Sequence, residues 1–271
     1  MELLPNTLLQ AKYRILSILG SGGFGITYLA EHELLGQKVA IKEFYIDGCV
    51  RNDTGGITYQ STRKEKFTDF KQRFTQEART LARFKNTSIV KVTDIFEENG
   101  TSYFVMDFIE GNTLKQQVED SGAISTEFAV NYALQLCEAL EEVHAKDMLH
   151  RDIKPDNIMI TKSGKAVLID FGAARDFVSE VTKSNTGIHT PGYAPIEQYG
   201  QGELNASTDI YGLCATLYFA VTGKKPLEAI KRIPDDILKG ANDENSDVPE
   251  WFACVLKKGM ASYAKLSLIH I

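Results

Sequence analysis

The sequence has four cysteines, Cys49, Cys137, Cys214 and Cys254, scattered with no C-x-x-C pair among them. That excludes a structural zinc cluster or a disulfide framework and leaves them as small buried hydrophobes in a reducing compartment. Met1 to Pro5 lack the basic start and apolar run of a secretory leader. No apolar stretch is long enough to span a bilayer, so a cytoplasmic segment without membrane contact is expected. There is no excess of positive charge: the net charge is −6, which argues against nucleic acid or an anionic membrane as the main partner. Internal repeats and low-complexity tracts are absent as well. What remains is an ordinary globular composition, 43% apolar and 24% charged, in 271 residues, enough for one large or two moderate domains with a real core.

The densest chemistry lies in His150-Arg151-Asp152-Ile153-Lys154-Pro155-Asp156-Asn157 and, downstream, Asp170-Phe171-Gly172. Between them Ile158–Ile160, a turn at Lys162–Lys165 and Ala166–Ile169 read as a small hairpin. Such a hairpin brings Asp152, Asn157 and Asp170 into one cleft. Hard oxygen ligands near a lysine are what Mg²⁺-bound phosphate requires.

A second phosphate signal opens the chain. A strand from Tyr13 to Leu19 runs into Gly20-Ser21-Gly22-Gly23-Phe24-Gly25. A dinucleotide-binding fold would need a helix directly after these glycines. Ile26 to Ala30 are β-rich instead, and after a turn at Leu35-Gly36-Gln37 comes a third strand, Lys38-Val39-Ala40-Ile41-Lys42. Strand, glycine loop, strand, turn, strand describes a hairpin flap over phosphates. An extra hairpin is expected at about 47–60, where Asn52-Asp53-Thr54-Gly55-Gly56 separates two short β-rich runs. Thr62 to Glu65 form a capping box, opening a helix whose Phe67, Phe70, Phe74, Ala78 and Leu81 share one face.

Ile89–Phe96 and Ser102–Asp107 complete a five-stranded antiparallel sheet. Beyond Gly111 the pattern turns helical: Thr113–Glu119, then Thr126–Ala145 with a buried stripe of Phe128, Tyr132, Leu136, Ala139, Leu140 and Val143, then Asn205–Gly223. Lys239 to Asp247 read as a polar loop.

The H-R-D-x-K-x-x-N and D-F-G stretches, with V-A-I-K ending at Lys42, resemble the protein kinase family. The resemblance runs from about Tyr13 to about Ala261. It implies an α+β, two-lobed catalytic domain over 13–271: a small antiparallel β-sheet N-lobe with one helix over 13–109, and a mainly helical, incomplete C-lobe over 110–271. It implies ATP and Mg²⁺, with Asp152 orienting the acceptor hydroxyl, Lys154 neutralising charge on the γ-phosphoryl, Thr190 beside them, and Asn157 and Asp170 holding the metal. Leu19, Gly20, Ser21, Gly22, Gly23, Phe24 and Gly25 would form the flap over the nucleotide. Thr27, where valine is usual, Ala40 and Met159 would join the nucleotide site. Lys42 would reach the α- and β-phosphates with Glu77 as its ion-pair partner. Met106 would be the gatekeeper, followed by Asp107 and Ile109, whose backbone meets the adenine edge. Asp209 would brace the His150-Arg151 backbone from below.

Lys154 is typical of the serine/threonine branch. Thr190 to Glu197 resemble the substrate-facing segment and A-P-E motif, with Ile196 in the usual proline position, most like bacterial, eukaryotic-like kinases. Protein substrates are therefore expected, with self-association for autophosphorylation at Thr182, Ser184 or Thr186, where a phosphate could pair with Arg151. A nucleotide-binding pseudokinase scaffold and a small-molecule phosphotransferase are the alternatives. Family members bury the A-P-E glutamate, here Glu197, against a late arginine, yet none occurs after Arg232. Leu266 to Ile271 fit no family element. The ending reads as a truncation that leaves Glu197 without its partner, lowers stability, and removes any anchor that followed; a natural short C-lobe with another partner for Glu197 is the alternative.

Overall fold

The computed structural model describes residues 2–23, 25–46, 48–52, 55–59, 64–171, 190–200, 202–233 and 235–261, with backbone only at 64–66. Phe24, Gly172, Thr62, Thr182, Ser184, Thr186 and the 262–271 tail lie outside the described residues. The chain divides into two compact units, residues 1–85 with 90–109, and 86–89 with 110–271.

The first unit is built on a six-stranded sheet, ordered β1-β2-β3-β4-β8-β7. Its strands are β1 (Leu8–Leu9), β2 (Tyr13–Gly22), β3 (Gly25–His32), β4 (Gln37–Glu43), β7 (Val92–Glu98) and β8 (Thr101–Asp107). A separate hairpin pairs β5 (Cys49–Arg51) with β6 (Ile57–Tyr59). Five strands were expected in the sheet. The sixth, β1, has only two residues, too short for any alternation to announce it. The strand expected from Ile89 begins at Val92; Ile89 makes only an isolated parallel bridge to Leu168.

Alternation along β4 sorts its side chains between two faces. Ile41 and Glu43 lie opposite Val105 and Tyr103, and this face carries Tyr28, Ala30 and Ile26, covered by Leu3, Leu9 and Tyr13. Ala40 and Lys42 lie opposite Met106 and Phe104 on the other face, where Phe74 of α1 (Lys64–Leu81) packs 5.0 Å from the Phe104 ring. The periodic phenylalanines thus hold the helix to the sheet. A hydrogen bond from Thr75 Oγ1 to Ser102 Oγ and a Lys71–Glu97 ion pair add to them.

The second unit is mainly helical. It contains α2 (Leu114–Ser121), α3 (Thr126–His144), α4 (Ala206–Thr222), α5 (Ala241–Glu244) and α6 (Glu250–Gly259), with a small sheet ordered β11-β10-β9. Thr113 and Gln116 form a capping box that starts α2, and Ser125 caps α3. Tyr132, Leu136, Ala139, Leu140 and Val143 are buried as expected, each large side chain contributing about 1.5–3 kcal/mol. Phe128 is 55% exposed and Ala129 is buried in its stead, because the stripe begins one residue later. α4 is apolar nearly all round and buried along its length.

β10 (Ile158–Thr161) and β11 (Ala166–Leu168) are the hairpin read from the sequence. β9 (Gly111–Thr113) joins it unannounced: a Cβ on Gly111 would overlap the Ile160 carbonyl, so glycine is required by close approach. The polar run 239–247 contains the single turn of α5. Cys49 and Cys214 are buried, but Cys137 and Cys254 are exposed on helix surfaces, against expectation. No described helix is long and apolar enough to cross a membrane.

Candidate active site

The second unit gathers the polar stretch around Asp209, which is 1% exposed in the first turn of α4. Its Oδ2 accepts from the His150 backbone N–H at 2.9 Å and its Oδ1 from that of Arg151 at 2.7 Å. His144 Nε2, at the end of α3, lies 2.8 Å from the same carboxylate. One buried carboxylate thus satisfies two donors of an irregular turn that no strand or helix could satisfy. The turn needs this support, because Arg151 is held at φ +64°.

His150 is fully buried. It accepts from the Asp152 N–H through Nδ1 at 3.3 Å and donates through Nε2 to the Ile169 carbonyl at 3.1 Å. That pairing assigns the neutral Nε2–H tautomer. Burial holds its pKa below the ordinary histidine value, with Asp209 and Asp152 opposing. The ring of Phe171 packs 4.3 Å away.

Above this floor the three expected catalytic side chains meet. Lys154 Nζ lies 3.2 Å from Asp152 Oδ2 and donates to Thr190 Oγ1 at 3.4 Å, and Thr190 Oγ1 donates to Asp152 Oδ1 at 3.2 Å. Asn157 Nδ2 donates to both the carbonyl oxygen and Oδ2 of Asp152, each at 2.9 Å. With its amide nitrogen so directed, Asn157 presents Oδ1 as a hard donor. The carbonyl of Asn157 accepts from the Ile169 N–H at 3.0 Å, and the next residue, Asp170, stands at φ +55°.

Asn157 and Asp170 are therefore oxygen donors on one support. Among the described residues no group of three or more histidine, cysteine or acidic side chains is arranged to hold a metal ion by itself. Two oxygen donors such as these suit Mg²⁺, which keeps water and substrate phosphates as its other ligands. A small cleft runs from Asp152 past Thr190, Tyr193, Gln198 and Thr208. Met159 lies in β10, opposite Thr113 and Val167.

The first unit holds the remaining expected residues. β2 and β3 pair as far as Gly22 opposite Gly25, forming the flap. A Cβ at Gly20, Gly22 or Gly23 would meet nothing within 4 Å, leaving room above the backbone. Gly25 is glycine for another reason: at φ +156° its Cβ would overlap the Glu43 carbonyl. Leu19 and Ser21 are exposed in β2. Thr27 and Lys42 face each other across the β3–β4 ladder, and Ala40 lies opposite Met106. Glu77 is buried on α1, one turn beyond Phe74. The Asp107 N–H is taken by the Lys91 carbonyl at 3.0 Å, so only its C=O is left for a hinge contact. Ile109 is half-buried beyond it.

Three supporting residues were not read from the sequence. Gln198 Nε2 donates to the Arg151 carbonyl at 2.7 Å, His144 contacts Asp209, and Thr208 donates to Glu197 Oε1 at 3.0 Å. Each acts across 11 to 65 residues, with no local spacing to mark it. Glu197 is buried, and no lysine or arginine pairs with it among the described residues; Arg232 instead grips Asp236, Tyr211 and the Met260 carbonyl.

A serine/threonine-protein kinase PrkC of Bacillus subtilis is 31% identical over 90% of this chain and 35% of its own length. A probable serine/threonine-protein kinase PknB of Corynebacterium glutamicum is 35% identical over 80% of this chain and 32% of its own length. The chain thus spans about a third of the length of these curated relatives. The solved structure "PpkA-294 apo form" is 31% identical, with a TM-score of 0.88 over 98% of this chain and 95% of that one. Residues 13–252 match the protein kinase domain, and the chain belongs to that family, among relatives that are bacterial serine/threonine kinases.

Proposed function

We propose that this domain transfers the γ-phosphoryl group of ATP to serine and threonine hydroxyls of proteins. The observation that carries this reading is the closed set Asp152–Lys154–Thr190, with Asn157 tied to Asp152. A loose phosphoryl-transfer transition state depends on positioning and charge neutralisation rather than on a strong base. Asp152 orients the acceptor hydroxyl and takes its proton late. Lys154, held against Asp152, neutralises charge on the transferred group. Thr190 fixes the rotamer of Asp152 and lines the peptide side of the cleft. Asn157 and Asp170 would hold Mg²⁺, which when bound shields the charge of the phosphates.

In the first unit, Lys42 and the flap from Leu19 to Gly25 serve the phosphates, with Glu77 orienting Lys42. Ala40, Thr27, Met159, the Asp107 carbonyl and the Ile109 N–H serve the base. The domain spans 13–271, with 13–109 carrying the nucleotide flap and 110–271 the catalytic turn. We place it in the cytoplasm, self-associating to phosphorylate Thr182, Ser184 or Thr186.

Incubation with γ-labelled ATP, Mg²⁺ and a generic protein substrate tests the proposal. Acid-stable label on serine and threonine, absent with Asp152→Asn, supports it. Nucleotide binding without any label means a scaffold, and label on small alcohols but not on protein means a different phosphotransferase.

A further inference from the structure

The β5–β6 hairpin takes no part in the reaction as described, yet it delivers a cation, Arg51, to Glu43, the most deeply buried charge of the first unit among the described residues. Each of its strands has three residues, too few to be stable alone. The Ile57 N–H donates to the Asn99 carbonyl at 2.6 Å, and Arg51 adds a charged tie to the sheet: its Nη2 meets Glu43 Oε2 at 2.6 Å while Nη1 donates to the Gly55 carbonyl at 2.8 Å. The Glu43 side chain is 0% exposed and that of Arg51 4%. The hydroxyls of Tyr28 and Tyr103 also donate to Glu43, at 2.8 and 2.5 Å. Behind them the Leu3 N–H and Asn99 Nδ2 donate to those hydroxyls. Burial, and then the Glu43 charge, push both tyrosines above their ordinary pKa, so they stay donors at any working pH.

A buried ion pair is weak as a source of stability, since apolar residues of the same volume serve as well or better; its usual gain is geometry. The geometry served here can be traced. Glu43 is the last residue of β4 and follows Lys42 directly. Its carbonyl is the surface against which Gly25, the end of the flap, is pressed. The next residue, Phe44, packs on Phe67 and Phe74 of α1 at 5.3 and 5.5 Å, and its N–H is bonded to the Ser102 carbonyl. The hairpin reaches the same helix through Tyr59, stacked on Phe67 at 5.1 Å. The flap, the lysine strand and the helix carrying Glu77 therefore meet at two consecutive residues, Glu43 and Phe44, and the hairpin clamps the first of them.

We propose that Glu43, pinned by Arg51 of the β5–β6 hairpin, is a positioning residue for phosphoryl transfer, fixing Lys42, the closing strand of the glycine flap and the start of α1 relative to one another. This rests on the reading of Lys42 and the flap as the phosphate-binding elements.

The test is steady-state kinetics and thermal melting of the full chain in three variants. Arg51→Met leaves Glu43 buried without its cation, so both the melting midpoint and the apparent ATP affinity fall. Glu43→Gln/Arg51→Met keeps acceptor and donor groups for the two tyrosines, buries no charge and recovers most of the midpoint. It loses the clamp, so KM for ATP stays about tenfold above wild type while KM for the protein substrate is unchanged. A double variant that regains the wild-type KM for ATP along with its midpoint overturns the proposal, because the network then only supports the fold. Lys42→Met separates the two readings. Loss of transfer upholds the phosphate assignment beneath the proposal, and wild-type KM and turnover overturn that assignment whatever the hairpin variants do.

Discussion

Each unit sets a fully buried carboxylate beside a residue of the proposed chemistry, and the two do the task differently. Asp209 acts on backbone: it collects the N–H groups of His150 and Arg151 and so shapes the turn that presents Asp152. Glu43 acts on side chains: it collects Arg51, Tyr28 and Tyr103 and so fastens an inserted hairpin to the strand that presents Lys42. An irregular turn has orphan N–H groups that only an acceptor can satisfy. A strand has none to spare, since its ladder uses them, and what it lacks is an anchor against sliding and twisting. The same buried charge thus serves to complete hydrogen bonding in one place and to fix position in the other.

Breaking each device exposes the difference. Asp209→Ala has the largest expected effect. It orphans two buried N–H groups and a histidine, destabilising the fold by about 3–5 kcal/mol. Transfer also falls by about a hundredfold, because the Asp152 turn relaxes. Denaturant melts and kinetics check both. Arg51→Met comes next, at about 3 kcal/mol for a buried carboxylate left without its cation. Its kinetic loss is expected in KM for ATP, where that of Asp209→Ala is expected in turnover.

Gly25→Ala is smaller, about 2 kcal/mol, for a side chain forced onto the Glu43 carbonyl at positive φ. It raises KM for ATP without touching peptide affinity, which a nucleotide titration would read. Smallest is the pH response of the Asp209 side. Burial holds the folded pKa of His150 below its ordinary 6.5, so the unfolded chain takes up a proton first on acidification. Its contribution to stability is complete above about pH 6.5 and is lost as pH falls toward the folded value. Melting midpoints between pH 7.5 and 5.5 should decline more steeply for wild type than for His150→Asn, which cannot titrate. Parallel slopes would remove the histidine from the account.

The α+β fold and most of its elements were legible because periodicity and turn residues are local signals. The phenylalanines of α1, the stripe of α3 and the hairpin between Asn157 and Asp170 all announce themselves within a few residues. Asp209 was legible only through family resemblance. Glu43 was not legible: alternation puts it on the face of Ile41, but nothing near it in sequence offers a partner for a buried charge, and only the fold brings Arg51, Tyr28 and Tyr103 to it. Phe128 and β1 failed for the opposite reason, since one apolar residue at a stripe's edge, or two residues of strand, carry too little pattern.

The most direct measurement of the central claim separates nucleotide binding from chemistry at Asp152. Calorimetric titration of Mg²⁺–ATP and single-turnover phosphoryl transfer are compared in wild type and Asp152→Asn. The account predicts an ATP affinity within about threefold of wild type and a rate about a thousandfold lower, because Asp152 acts on the acceptor hydroxyl and not on the nucleotide. A rate within tenfold of wild type would contradict it.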